Sequence, residues 1–241
     1  MARPKAGYPD AAGNKYKGSS TLAKIMGDSG GLIQWAYKQG QAHEAMRNRG
    51  EDAPAHLYDQ VERAGSIGTT VHNMVEAHIN GQDIVEIRDL VDAEFLDDKD
   101  AHDACFSGYR AFLEWFEMTG MEVIAQEIPL VDPALGYGGT FDAIGRRKGK
   151  LELLDWKTGA AIYPEMLAQI ASYGHLAEHG FELGTEKKLG YKIEGYHLCR
   201  FSKEHGDFSH HYFPKLDDAW EAFKLCLKLD PLKAQLKKRA K

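Results

Sequence analysis

Asp142, Asp155 and Lys157 are the residues of this chain whose types and spacing could do chemistry. They lie in the stretch 138–173, GGTFDAIGRRKGKLELLDWKTGAAIYPEMLAQIASY. Residues 137–147 alternate and carry Tyr, Phe and Ile, and 151–156 is apolar apart from Glu152 and Asp155. The polar run Arg146-Arg147-Lys148-Gly149-Lys150 between them is a turn signal. With Lys148-Gly149 as a two-residue turn, Asp142 faces Asp155 across an antiparallel pair, and Lys157 shares their face. A different turn length would shift that register. Two facing carboxylates repel each other, and a cation between them removes the cost. Hard divalent ions such as Mg²⁺ take oxygen ligands. Lys157 would then lie beside a metal-bound water and any phosphate held there. It could stabilise growing negative charge or help take a proton from water. Metal, water and ammonium together hydrolyse phosphodiesters.

An acid-x-Lys triplet by itself says little, because the chain has three: Asp97-Asp98-Lys99, Asp155-Trp156-Lys157 and Glu186-Lys187-Lys188. Only Asp155 ends an apolar run and has a partner acid at hairpin spacing. The plainer alternative is a surface hairpin with a salt bridge between Asp155 and Lys157. Downstream, Tyr163-Pro164-Glu165 reads as a helix start, and Met166, Leu167, Ile170, Tyr173 and Ala177 continue at helical spacing. Gln169 and Tyr173, four residues apart, project from one face of that helix.

Gly139-x-x-Asp142, then Asp155-Trp156-Lys157-Thr158-Gly159, then Gln169-x-x-x-Tyr173 resembles the RecB-like branch of the PD-(D/E)xK nucleases. Phage recombination exonucleases and the mitochondrial genome-maintenance exonuclease are nearest in appearance. The resemblance implies an α/β fold with a restriction-endonuclease-like core: a central mixed β-sheet flanked by helices, with an N-terminal helical layer. It implies a metal-dependent DNA exonuclease that leaves 5′-phosphates and serves recombination, repair or replication. Asp142, Asp155 and Lys157 would be catalytic. Asp142, Asp155 and the backbone carbonyl of Trp156 would bind Mg²⁺ or Mn²⁺, as two ions. Gln169 and Tyr173 would position the substrate strand or the site. Upstream, Gly68-x-x-x-His72-x-x-x-Glu76 matches the pattern that supplies a metal-site histidine, so His72 is a candidate ligand, one that suits Mn²⁺ better than Mg²⁺. Without the resemblance, His72 and Glu76 read as a helix pair beside an apolar stripe. Glu127 is either a further metal carboxylate or a solvent-facing strand residue. DNA is the implied partner, with a single-strand annealing protein or recombinase and a homo-oligomer as further implications. A structure-specific endonuclease of the same superfamily and a non-catalytic DNA-binding protein with the nuclease fold are the rival readings.

The chain has 241 residues, a net charge of −6, and 43% hydrophobic and 27% charged residues. That suits one α/β domain and does not advertise nucleic-acid binding, although an enzyme that releases its product needs only a local basic path. No apolar run approaches membrane-spanning length, so no membrane partner and a cytoplasmic location are expected. Cys105, Cys199 and Cys226 are odd in number and far apart, which argues against disulfides and an iron–sulfur cluster.

The elements expected to carry the site run as follows. Residues 1–18 form a flexible arm, 19–230 a single nuclease domain and 231–241 a basic tail. Ser19-Ser20-Thr21 caps a helix over 22–26, and a second helix over 31–39 stops at Gly40, with Trp35 as core and base stacking as the minor alternative. Helix 54–79 breaks near Gly65–Gly68, and His78 lies at the surface. Residues 81–103 are acidic and form a solvated connector into a helix over 100–119. Residues 121–130 form the first strand, with Glu127 inside it. Strands over 192–201 and 207–213 pair through a turn at 203–206. A last helix covers 216–229.

Overall fold

The computed structural model describes residues 4, 6–27, 30–51 and 57–240. Two short strands, β1 (Tyr8–Pro9) and β2 (Lys15–Gly18), lead into helix α1 (Ser19–Ala23), which tightens to a 3₁₀ turn over Lys24–Met26. Four helices follow: α2 (Gly30–Asn48), α3 (Leu57–Ile79), α4 (Ile84–Phe95) and α5 (Lys99–Thr119). Then come strands β3 (Glu122–Gln126), β4 (Pro129–Asp132), β5 (Tyr137–Thr140), β6 (Ala143–Arg147) and β7 (Lys150–Lys157). Helix α6 (Pro164–His179), strands β8 (Phe181–Glu182), β9 (Tyr196–Phe201) and β10 (Phe208–Phe213), and helix α7 (Asp217–Arg239) complete the chain.

The central hairpin has the register that its turn demands. Lys148 (φ 51°) and Gly149 (φ 79°) are both left-handed, which defines the turn whose twist matches paired strands. Ala143 pairs with Leu154 and Arg147 with Lys150, as a turn at Lys148-Gly149 requires. The expected mixed sheet flanked by helices is present, divided among the described residues into two mixed five-stranded sheets ordered β1-β2-β5-β4-β8 and β10-β9-β7-β6-β3. Each of the two long strands read from sequence is divided between them. Residues 137–147 split at Phe141-Asp142 into β5 and β6, and residues 121–130 split at Glu127 into β3 and β4. Glu127 is left-handed (φ 49°), and its N–H donates to the Asp142 carbonyl at 3.0 Å, so the two breaks are tied to each other.

Period-2 alternation along β7 feeds two cores. Leu154 and Trp156 join Trp115, Phe112, Met74 and Phe201 under α3, α4 and α5. Leu153 joins Tyr137, Phe141, Ile144 and Phe223 under α1, α6 and α7. Asp155 and Lys157 therefore leave the strand on the α6 side.

Several expectations give way to tertiary packing. Within the expected flexible arm, of which positions 1–3 and 5 lie outside the described residues, Tyr8–Pro9 and Lys15–Gly18 are instead strands, and β2 runs parallel to β5 through Lys17↔Tyr137 and Gly18↔Gly138. Ser19 begins α1 rather than capping it, and its hydroxyl donates to the Gly138 carbonyl. Helix α2 continues past Gly40 to Asn48, and α3 runs unbroken through Gly65 and Gly68. A glycine costs a helix only about 1 kcal/mol, less than packing returns. The acidic connector is largely helix α4: Asp83 and Glu86 form a capping box, and Ile87, Val91 and Phe95 face the core at i, i+4, i+8. His78 is half-buried among Tyr109, Phe112 and Phe116, with Nδ1 2.9 Å from the Tyr109 hydroxyl. Helix α7 runs through Pro231 to Arg239, so the basic tail is mostly helical. The three cysteines are buried and free. Positions 52–56, at the start of the expected helix 54–79, lie outside the described residues.

Away from the hairpin face, Glu152, His197 and His210 form a chain. Glu152 Oε2 accepts from Arg147 Nε at 3.0 Å and lies 2.9 Å from His197 Nε2. His197 Nδ1 lies 2.6 Å from His210 Nε2. The carboxylate fixes Nε2–H on His197, so His210 donates to Nδ1. Burial, then the neighbouring His197 and Arg147, pull His210 down to about 4. Its folded value is thus depressed below 6.5, so the stability it contributes is present above pH 6.5 and is lost as pH falls to about 4. For this half-buried group the loss is roughly 1–2 kcal/mol. Thermal melts across that window should fall less steeply for His210→Gln than for the wild type.

Candidate active site

The two strand breaks bring the carboxylates together. Asp142 leaves the β6 ladder just beyond Ala143, and its Oδ2 accepts from the Trp156 N–H at 2.6 Å. Its other oxygen, Oδ1, faces His72 Nδ1 at 3.6 Å. Ligand atoms of His72, Glu127 and Asp142 all lie within 4.8 Å of one another. His72 Nδ1 is buried and has no hydrogen-bond partner. A buried imidazole nitrogen that faces two carboxylates without a hydrogen-bond partner is what a divalent cation would complete, since such ions bind N and O ligands at about 2.0–2.2 Å. The residues present therefore fit a metal ion. Glu127, read from sequence as either a ligand or a solvent-facing strand residue, belongs to this triangle because the chain turns left-handed there.

Asp155 lies beside the triangle rather than in it. It is 1% exposed and ion-paired to Lys157. Burial pushes its carboxyl up, the Lys157 ammonium pulls it back down, and the Asp142 charge pushes it up again. Lys157 Nζ donates to Gln169 Oε1 at 3.3 Å, and Gln169 Nε2 donates to the Tyr173 hydroxyl at 2.7 Å. Gln169 and Tyr173 thus orient the lysine from α6, while the ammonium stays on the carboxylate.

Two motif glycines have steric reasons. A Cβ at Gly139 would come within 2.6 Å of the Tyr173 ring and 2.7 Å of Ser19 Oγ, so β5 must be bare where α6 crosses it. A Cβ at Gly68 would come within 2.8 Å of Thr158 Oγ1. Gly68 therefore sets how closely α3, and with it His72, approaches the end of β7. Thr158 can turn its hydroxyl away from one methyl group but not from a branched side chain. Gly68→Ala should keep most nuclease activity, whereas Gly68→Val should lower kcat at least tenfold with a stability loss of about 1–3 kcal/mol. Steady-state DNA hydrolysis and thermal melts on both variants check this.

Trp156 sits between the two functional side chains and points the other way, into the aromatic core. Its N–H holds Asp142, while the metal-binding role implied for its carbonyl belongs to the functional proposal below. Arg200 on β9 is a neighbour of the site that the sequence did not point to. It is the register partner of Lys157 on β9, and the parallel pairing that places it there has no local signature.

The family model of the PD-(D/E)XK nuclease superfamily matches residues 41–223, more than half of the chain. This protein belongs to the PD-(D/E)XK nuclease superfamily. Two crystal structures of LHK-Exo, an alkaline exonuclease from Laribacter hongkongensis, one of them in complex with dAMP, are similar at 14% identity over 93% of each chain. Their TM-scores are 0.43 and 0.40. No curated protein matches significantly. Nucleases of this superfamily depend on divalent metals, and the His72–Glu127–Asp142 cluster is the group of acidic and imidazole ligands that this nuclease brings together among its described residues. No helix is long and apolar enough to cross a membrane among the described residues.

Proposed function

We propose that this nuclease is a DNA exonuclease that uses Mg²⁺ or Mn²⁺, as two ions, and leaves 5′-phosphates during DNA recombination, repair or replication. The observation that carries the reading is the partnerless buried Nδ1 of His72, facing two carboxylates beside the Asp155–Lys157 ion pair. His72, Glu127 and Asp142 would hold one ion. Asp142, Asp155 and the Trp156 carbonyl would hold the other. Ions held there would supply Lewis acidity and a water of lowered pKa.

The chain's own residues do the rest. Asp142 is fixed by the Trp156 N–H through Oδ2, so its other oxygen, Oδ1, is presented to the site without reorganisation. Lys157, steadied by Gln169, supplies a positive charge beside the phosphate as negative charge grows on its oxygens. It can also pass a proton to or from the attacking water. Asp155 holds the lysine in place through their ion pair. The same reading takes the chain as one nuclease domain, and leaves an annealing protein, a recombinase or further copies of the chain as partners to be sought by pull-down.

End-labelled linear and closed circular DNA, incubated with Mn²⁺, Mg²⁺ or EDTA, tests the proposal. Metal-dependent loss of linear DNA alone, abolished in Asp155→Asn and Lys157→Ala, is the expected result. Cutting of the circle would make the protein an endonuclease. Hydrolysis that survives both substitutions would place the chemistry elsewhere.

A further inference from the structure

Beside the end of β7 lies a cleft of about 520 Å³, in the range of about 300–1,000 Å³ typical of small-ligand sites. Its walls come from separate parts of the chain. Trp35 stands on α2, Thr158 and Gly159 follow Lys157 directly, and Arg200 and Lys203 belong to the β9–β10 hairpin. Trp35, expected as core, is instead only half-buried and lines this cleft. Arg200 and Lys157 are register partners on parallel strands, so their side chains leave the same face about 4.8 Å apart. The Arg200 side chain is 17% exposed, with Nε 3.2 Å from Ser209 Oγ and Nη2 3.4 Å from Asp207 Oδ2. Those two contacts hold the guanidinium in place while most of Asp207 stays in solvent. Lys203 Nζ donates to the Ala64 carbonyl of α3 at 2.9 Å, which ties the cleft's two walls together. A Cβ at Gly159 would have only the Ala161 carbonyl within 4 Å, so the floor beside Lys157 is open.

An aromatic ring and a hydrogen-bonded guanidinium lining one cleft, beside the strand end that carries Lys157, match the chemistry of an unpaired nucleotide. The base stacks on the ring, and its phosphate meets the guanidinium. The protein's net charge is −6, so affinity for DNA must come from such local features rather than from the overall field. A volume of about 520 Å³ is the scale of one small ligand such as a single nucleotide. We infer that this cleft seats a single unpaired nucleotide next to the scissile phosphate, with Trp35 stacking on the base and Arg200 holding its phosphate. The inference rests on the nuclease reading for its place in the reaction, but the binding it describes can be measured without hydrolysis. One strand would therefore enter the site singly, even from a duplex end.

The probe is a short oligothymidylate with EDTA present, so that nothing is cut. Its dissociation constant is read by anisotropy, and tryptophan quenching is read in parallel. Trp35→Ala should weaken binding about 5- to 100-fold and remove most of the quenching, while Trp35→Phe should stay within a few-fold of the wild type because it retains a stacking ring. Arg200→Gln should weaken binding and lower the salt-dependence slope by about 0.7, the value of one single-strand phosphate contact. Duplex DNA without an end should show none of these changes. Melting curves check that each variant folds, and the Trp35 and Arg200 results stand independently if one of them does not. Wild-type affinity, quenching and salt slope in both Trp35→Ala and Arg200→Gln would overturn the inference while leaving the nuclease reading intact. Conversely, loss of binding in both variants of a protein that never hydrolyses DNA would retain the cleft and discard the nuclease reading.

Discussion

Asp142→Asn is expected to leave the fold intact and lower DNA hydrolysis by roughly 10³-fold or more, because metal-assisted charge stabilisation supplies several kcal/mol. The asymmetry of the two Asp142 oxygens is the reason. Oδ2 accepts from the Trp156 N–H, and an asparagine keeps that bond by presenting its carbonyl oxygen there. Its amide NH₂ then faces His72 Nδ1, a buried nitrogen that otherwise has no hydrogen-bond partner, and can donate to it. The substitution relieves the apo protein and blocks the cation at the same position. Melting temperature without metal should therefore hold or rise slightly. The extra stability conferred by saturating Mn²⁺, about 2.7 kcal/mol at a hundredfold excess over Kd, should disappear. Calorimetric melts with and without Mn²⁺, alongside hydrolysis rates, measure both. Full Mn²⁺ stabilisation of Asp142→Asn would remove Asp142 from the metal site.

Trp156→Ala is expected to produce the largest loss of stability, about 3–5 kcal/mol. The ring is 3% exposed and packs against Trp115, Phe112 and Phe201 at centroid distances of 5.2, 6.0 and 5.8 Å. The cavity would open on the opposite face of β7 from Asp155 and Lys157. Removing the ring loosens the strand that carries both residues and the N–H that holds Asp142. Activity per folded molecule should fall as well, which separates this variant from a remote core truncation such as Phe223→Ala. For a chain of this length the melting temperature should drop by roughly 6–20 °C. Trp156→Phe, which keeps an aromatic ring in the cluster, should recover most of both losses. If Trp156→Ala retained wild-type turnover in its folded fraction, the ring would have no part in holding the site.

The sequence by itself determined what is local in this protein. The Lys148-Gly149 turn, legible from residue types, set a register that the structure keeps pair by pair, and with it the shared face of Asp155 and Lys157. Helical spacing likewise placed Gln169 and Tyr173 on one face, where Gln169 meets Lys157 and Tyr173 meets Gln169. These relations depend on backbone geometry within a few residues, so the residue pattern encodes them. Only the tertiary structure decided that the two long strands break at Glu127 and Asp142 and pass from one sheet to the other. The breaks are held by a hydrogen bond between residues on separate strands, and neither break leaves a local signal. The approach of α3 at Gly68, the half-buried position of Trp35 and the pairing of Lys157 with Arg200 are of the same kind. Each joins segments dozens of residues apart through packing, and packing is a property of the assembled layers rather than of any one stretch of the chain.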